Sequence, residues 1–372
     1  MTLVWKFEYD ARFAREFMID VVVIGGGVIG LMTARALALR GAKVTLLERG
    51  DLGEESSWAG GGILSALVPW EASAAINRLV LWGQRRYPEL ASELMSETGV
   101  DPEWTQSGML LANHDAKKAS EWSSNSKLRF QQLARKELES IAPSVHAETA
   151  IHLPDIAQIR NPRLIKALSA SLEKLGVEIK TNASVGQFEA SEQILRSVTA
   201  VGKQYFADKF VMATGAWSAM LLPELHTKQV QPIKGEMLLY KSDPDFLKTI
   251  VIGDKGYAVP RLDGHILYGS TVENVEYNDT TTDQALRALS SSAEELIPGL
   301  KNASLVGHWA GLRPGSVEGV PIIGRSQSYE NVFINCGHFR NGIAMAPASA
   351  QLMADILEGV EPEIEPDEYA LV

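Results

Sequence analysis

The chain has 372 residues, 45% of them apolar and 22% charged, with 46 acidic against 35 basic side chains and a net charge of -11. That length holds two intertwined domains or one large one, and the acidic balance, with no basic stripe, disfavours nucleic acid as a partner. The single cysteine, Cys336, excludes an internal disulfide and fits a reducing compartment. No paired histidine spacing suggests a metal, no apolar run reaches the ~18 residues that span a bilayer, and no signal-peptide pattern is present. The expected location is cytoplasmic, with no membrane partner.

Residues Met1–Phe17 interleave Trp5, Phe7, Tyr9, Phe13 and Phe17 with charges and read as an extension ahead of the first strand. Val21–Ile24 is then a buried strand, Gly25-Gly26-Gly27 a turn, and Val28-Ile29-Gly30 the start of a helix. Lys43–Leu47 is a second strand, ended by Glu48. In this pattern Gly25 makes the tight turn, Gly27 admits a pyrophosphate and Gly30 lets helix and sheet pack closely. The helix N-terminus offers N–H groups to phosphate. Glu48 is spaced to accept from ribose hydroxyls, which favours FAD or NAD over NADP.

A polar, glycine-rich loop follows at 50–62. Within it, Ser56-Ser57 and Gly60-Gly61-Gly62-Ile63 suit a backbone pressed against a phosphate and then a flat ring. The apolar stripe at 75–99 predicts a helix, and 108–112 a strand. The charged, glycine-free stretch 115–142 also reads as helical. Asn161-Pro162 opens a helix to about Gly176, as N-cap and first-turn residue. It leads into a strand at 177–180. Lys209–Gly215 is a buried strand that returns to the nucleotide sheet. From 230 to 271, short strands with turns at Lys255-Gly256 and Asp263-Gly264 predict an antiparallel sheet. A helix at 283–296, a strand at 331–335 and a helix from Gly342 to Leu357 complete the order.

Three side chains stand out as substrate ligands. Arg313, inside Trp309–Gly315, lies between apolar residues and a Pro-Gly turn; its planar fork matches a carboxylate, the alternative being an internal salt bridge. Arg340 precedes the last helix, where it either holds the same anion or favours a reduced flavin. Tyr257 offers a phenol to a pocket, or is an ordinary strand tyrosine. No serine–histidine–acid array or carboxylate pair stands out, so no catalytic acid or base is assigned.

The fingerprint with Glu48, the Ser56–Ile63 loop, the Trp309–Gly315 loop and the Gly337–Ile343 segment resemble glycine oxidase of the thiamine-biosynthesis type, a branch of the D-amino acid oxidase and sarcosine oxidase superfamily. The resemblance runs from Met18 to about Gly359. It implies an α/β fold: a discontinuous, Rossmann-like FAD-binding domain (18–80, 150–225, 320–372) with an inserted antiparallel-sheet substrate domain (81–149, 226–319). It implies non-covalent FAD, a small amino acid or amine substrate, dioxygen, and a homo-oligomer, a tetramer. Arg313 would take the substrate carboxylate, with Tyr257 and Arg340 lining the pocket. Glu48 and Arg49 would hold the adenosine, Val28, Ile29, Ser56 and Ser57 the phosphates, and Gly61, Gly62 and Ile63 the flavin ring. Ala183 would meet adenine through its backbone. His338, Phe339, Arg340, Asn341, Gly342, Ile343 and Ala344 would offer N–H groups to the flavin's pyrimidine edge. The implied reaction is oxidative deamination with release of peroxide; a dehydrogenase serving a quinone and a non-catalytic dinucleotide-binding module remain the alternatives.

Overall fold

The computed structural model describes residues 19–222, 224–226 and 230–371; the Met1–Phe17 extension lies outside them. The chain opens with β1 (Asp20–Ile24), α1 (Val28–Leu39) and β2 (Lys43–Leu47). Val21–Ile24 are all buried, because side chains on both faces of a central parallel strand are covered. A short turn α2 (Ser56–Ala59) precedes α3 (Ala74–Thr98). The Ser73 hydroxyl accepts from the Ile76 N–H at the start of α3, and left-handed Gly99 ends it.

The next stretch departs from the expected single helix. After β3 (Met109–Ala112) come α4 (Ala116–Ser126), β4 (Gln131–Ala134), α5 (Arg135–Ile141) and β5 (Thr149–Leu153). Lys127 takes the left-handed conformation that glycine usually fills at a helix end, so no glycine marks the break. Then follow α6 (Asn161–Lys174) and β6 (Glu178–Lys180). A meander of β7 (Val185–Ser191), β8 (Ile194–Ala200) and β9 (Lys203–Phe206) precedes β10 (Lys209–Met212) and the short α7 (Ser218–Leu221). The strands β11 (Gln231–Lys241), β12 (Ile250–Gly253), β13 (Gly256–Pro260) and β14 (His265–Gly269) come next. The chain closes with α8 (Asp283–Leu296), β15 (Ser304–Gly315), β16 (Ile322–Arg325), β17 (Val332–Cys336) and α9 (Gly342–Glu358).

One sheet has the order β16-β17-β10-β1-β2-β6, parallel except for β16. Val21 and Val23 of β1 face a core shared with α1, α3, α6 and α9, whereas Val22 and Ile24 face the β7–β9 meander. The second sheet has the order β15-β11-β14-β13-β12-β3-β5-β4. It is antiparallel apart from one parallel pair, β3 with β12. Tyr87, Leu90 and Leu94 of α3 belong to the core of the first sheet, so residues 81–98 pack with it and not with the second. Strand β5, at 149–153, conversely pairs in the second sheet. Among the described residues no helix is long and apolar enough to cross a membrane.

Candidate active site

A cavity of ≈ 570 Å³ runs between the two sheets. Its walls come from the ends of β1, β2, β10 and β17, the 55–63 loop, residues 183–185, and the second sheet through Gly235, Met237, Tyr257, Ser270, Gly311 and Arg313. Strand ends of a parallel sheet with helices starting beyond them form such a crevice by construction.

At the nucleotide end, Gly25 has φ +109° and packs so closely that a Cβ would collide with the Ala213 carbonyl. A Cβ on Gly30 would collide with the Gly25 carbonyl oxygen. Gly30 therefore acts from beneath the turn, and it does not line the cavity. The Glu48 carboxylate braces the same turn, accepting from the Gly26 N–H at 2.6 Å and the Gly50 N–H at 2.9 Å. Carboxylate oxygens carry lone pairs beyond these two bonds, so ribose hydroxyls can still donate to them. The first N–H of α1, on Val28, donates to Ser57 Oγ at 2.9 Å, which leaves the Ser57 hydroxyl hydrogen for a phosphate. Val28, Ile29, Ser56 and Ser57 all line the cavity.

Arg49 lies 3.5 Å over the Trp217 ring and pairs with Glu55. Both arginine and tryptophan line the cavity near Glu48, together with Ala183. The Ala183 N–H is already given to the Glu48 carbonyl, so only its carbonyl is left to meet a base.

The 56–63 loop is clamped from three directions. Asn161 Nδ2 donates to the carbonyls of Ser57 and Gly60, so this residue anchors the loop rather than capping α6 as expected; Arg160 is the N-cap. Arg261, buried and pulled down to about 10 by that burial, donates to the Gly61 carbonyl at 3.0 Å and to Gln158 and Ile159. Trp309 Nε1 donates to the Ala59 carbonyl. Gly62 sits at φ +71°, where a side chain is disfavoured. These contacts press Gly61 against Tyr257, 3.0 Å from where a Cβ would stand, and Ile63 into the cavity wall.

Arg313 carries the chemistry of the far end. Its Nη1 donates to the carbonyls of Lys234 and Thr271, and its Nη2 to Ser270 Oγ at 2.6 Å. Among the described residues no carboxylate pairs with it, so the internal salt-bridge alternative has no acid to support it. Burial pulls its guanidinium below the ordinary range and nearby Arg340 adds to this, while Tyr257 opposes it. A guanidinium stays charged under any such shift. The guanidinium also lies against Gly235, where a side chain would collide with it. Tyr257 Oη lies 3.6 Å from Met237 Sδ, and Arg340 lies over Phe339.

The C-terminal segment needs a narrower reading than the run His338–Ala344. The Phe339 N–H donates to the Pro314 carbonyl and the Asn341 N–H to the His338 carbonyl. Those two cannot serve a cofactor without breaking bonds already made. Ala344 lies outside the cavity wall, packed against Gly83 of α3. The positions still placed to offer N–H groups are therefore His338, Arg340, Gly342 and Ile343. The His338 ring turns to Ser349, Nε2 to Oγ at 2.9 Å, and burial lowers its pKa to about 3, so it is neutral. The Tyr87 hydroxyl donates to the Ile343 carbonyl and fixes the start of α9.

A family model described as FAD dependent oxidoreductase (DAO) matches residues 20–356. The chain belongs to the FAD-dependent oxidoreductases. It is 44% identical to glycine oxidase of Pseudomonas aeruginosa over 94% of this chain and 98% of that one. A bifunctional protein ThiO/ThiG of Trichormus variabilis is 33% identical, matched over 93% of this chain and 53% of its own length. The crystal structure of glycine oxidase from Geobacillus kaustophilus superposes with a TM-score of 0.89 at 26% identity, covering 95% of this chain and 98% of that chain.

The site fits the family's cofactor. Two helix N-termini, α1 and α9, point positive ends into one crevice. Glu48, which would meet a ribose, and a glycine-lined slot lie between them. Cys336, at the end of β17, lines the cavity, and burial pushes its thiol up to about 12. In this oxidoreductase the residues that sequence reasoning passed over are mostly braces: Asn161, Arg261, Gly235 and Ser270. Gly235 and Ser270 also line the cavity, as does Trp217, which stacks on Arg49. The signal for Trp217 was the small-residue turn Ala213-Thr214-Gly215 at the end of β10, which positions the following aromatic at a strand's carboxyl end.

Proposed function

We propose that this enzyme oxidises glycine and other small amino acids or amines, such as sarcosine and small D-amino acids, to the imine and then the 2-oxo acid. The observation that carries this reading is Arg313, a half-buried cation lining the cavity with only neutral acceptors around it among the described residues. A carboxylate is the anion its fork fits. The near-full-length likeness to glycine oxidases supports the choice of substrate.

FAD, when bound, supplies the redox chemistry: it takes a hydride equivalent from an amine's Cα–H and delivers the electrons to dioxygen, giving peroxide. The protein's own work is placement and field. Glu48, Ser57 and the α1 N-terminus would hold the nucleotide, and the Gly61–Ile63 backbone and the α9 start would hold the ring. Arg313 would grip the substrate carboxylate, and Tyr257 and Arg340 would border it. Two guanidinium groups also disfavour an ammonium nearby, so they promote the neutral amine from which a hydride can leave. No side chain is needed as acid or base; His338, neutral and turned to Ser349, is not one. Orientation then supplies much of the acceleration, since the reacting atoms must be held ~3–3.5 Å apart.

The family resemblance supports a homo-oligomer, a tetramer, and a cytoplasmic location as parts of the same reading. It also supports hand-over of the imine to thiazole assembly in thiamine synthesis. The test is a peroxide assay of the FAD-loaded protein over glycine, sarcosine, D-alanine and methylamine. Glycine is expected to give equal amounts of peroxide and glyoxylate, and methylamine, which lacks a carboxylate, no turnover. Equal kcat/KM for glycine and methylamine would remove the role of Arg313.

A further inference from the structure

Behind Arg313 lies a buried cluster of charges that faces away from the cavity. Glu236 is 0% exposed and Lys234 2%. Lys234 Nζ bridges Glu236 Oε1 at 3.0 Å and Glu273 Oε2 at 3.1 Å. Glu236 also accepts from the Thr282 N–H, the Thr282 hydroxyl and His308 Nε2, the last at 2.7 Å. Burial alone would raise the Glu236 carboxyl, but Thr282, Lys234 and His308 outweigh it and hold it below the usual range. Glu236 and Glu273 in turn raise Lys234 against its own burial. Both groups are charged, at a site where charges are expensive.

The expense has a place in the geometry. The two carbonyls that receive Arg313 Nη1 are those of Lys234 and Thr271. Thr271 is tied into the cluster twice: its hydroxyl accepts from the Glu236 N–H at 2.9 Å and donates to Glu273 Oε1 at 2.6 Å. The Thr271 N–H reaches the Glu236 carbonyl, and Lys234 and Glu273 exchange backbone bonds at 2.9 and 3.0 Å. Strand β11 and the segment after β14 are thus held together by the cluster at the point where they support the guanidinium.

We propose that the Lys234–Glu236–Glu273 cluster is a positioning device that fixes the Arg313 fork for a carboxylate, with Glu236 as its centre. None of the three lines the cavity itself. This inference rests on Arg313 being the carboxylate ligand. Glu236→Gln keeps the shape and an oxygen for Thr282 but removes the charge that orders Lys234.

The experiment compares wild type, Glu236→Gln, Thr271→Val and Arg313→Ala as FAD-loaded proteins. The probe is acetate, a carboxylate with no amine to oxidise, titrated through its perturbation of the flavin absorption band. Glu236→Gln is expected to raise the acetate Kd and the glycine KM about tenfold, equivalent to ~1.4 kcal/mol. Its kcat and FAD affinity should stay within about twofold of wild type. Thr271→Val, which leaves every charge in place, is expected to shift the acetate Kd in the same direction and keeps the test available should Glu236→Gln not fold. If Arg313→Ala weakens acetate while neither other variant does, the positioning role is overturned and the carboxylate role stands. A fall in FAD affinity as large as that for acetate would also overturn it, since general loosening would then explain both. If Arg313→Ala binds acetate like wild type, both readings fall together.

Discussion

Arg313→Ala raises the glycine KM by about two orders of magnitude, because a desolvated carboxylate then loses its partner at a cost of ~2–5 kcal/mol. Flavin content and spectrum stay those of wild type, since among the described residues the Arg313 side chain bonds to Lys234, Thr271 and Ser270 and to none of the groups that would hold the nucleotide. Arg313→Lys recovers part of the loss: it restores a charge but not the bidentate fork. The check is steady-state kinetics on protein with matched flavin content. An unchanged KM in Arg313→Ala would remove this residue from the substrate site.

The second large effect is at Gly30. Gly30→Ala places a methyl against the Gly25 carbonyl, so either α1 or the turn must move. Both are backbone and tightly packed, and such overpacking costs ~1–3 kcal/mol. The displaced element is also the one that would cradle the pyrophosphate. The variant is expected to purify with little flavin, to bind added FAD at least about tenfold more weakly, and to melt a few degrees lower. Gly186→Ala, where nothing lies near the added methyl, is the control and should keep its flavin. A Gly30→Ala protein that retains wild-type FAD affinity would show that the turn tolerates displacement.

These two positions also show what the sequence makes legible. Gly30 is readable because only a few backbone geometries connect a strand to a helix around a pyrophosphate, and each leaves a glycine at a fixed offset. Arg313 is readable because a charge between apolar residues has no place in an ordinary core. Trp217, Asn161 and Arg261 are not readable in that way. Asn161 looks like a helix cap, and its actual partners, Ser57 and Gly60, are about a hundred residues away. Arg261 follows an unremarkable strand, and only the folded chain brings it to Gly61.

The same limit explains the misread elements. The break at Lys127 carries no glycine, and β4 is a polar edge strand that pairs only with β5. The β7–β9 meander exposes most of its first strand, so the alternation that signals a strand is weak there. Ahead of α9, the sequence marks the segment 338–344 but not which of its N–H groups are free. Phe339 and Asn341 are committed to Pro314 and His338 by contacts that no local pattern encodes.

Anaerobic mixing of the FAD-loaded protein with glycine, followed at the flavin absorption band, tests the central claim most directly. The band is expected to bleach as glycine is added and to return when oxygen is admitted, with peroxide formed in step. A band that persists under saturating glycine, in protein whose flavin dithionite readily bleaches, would contradict the account.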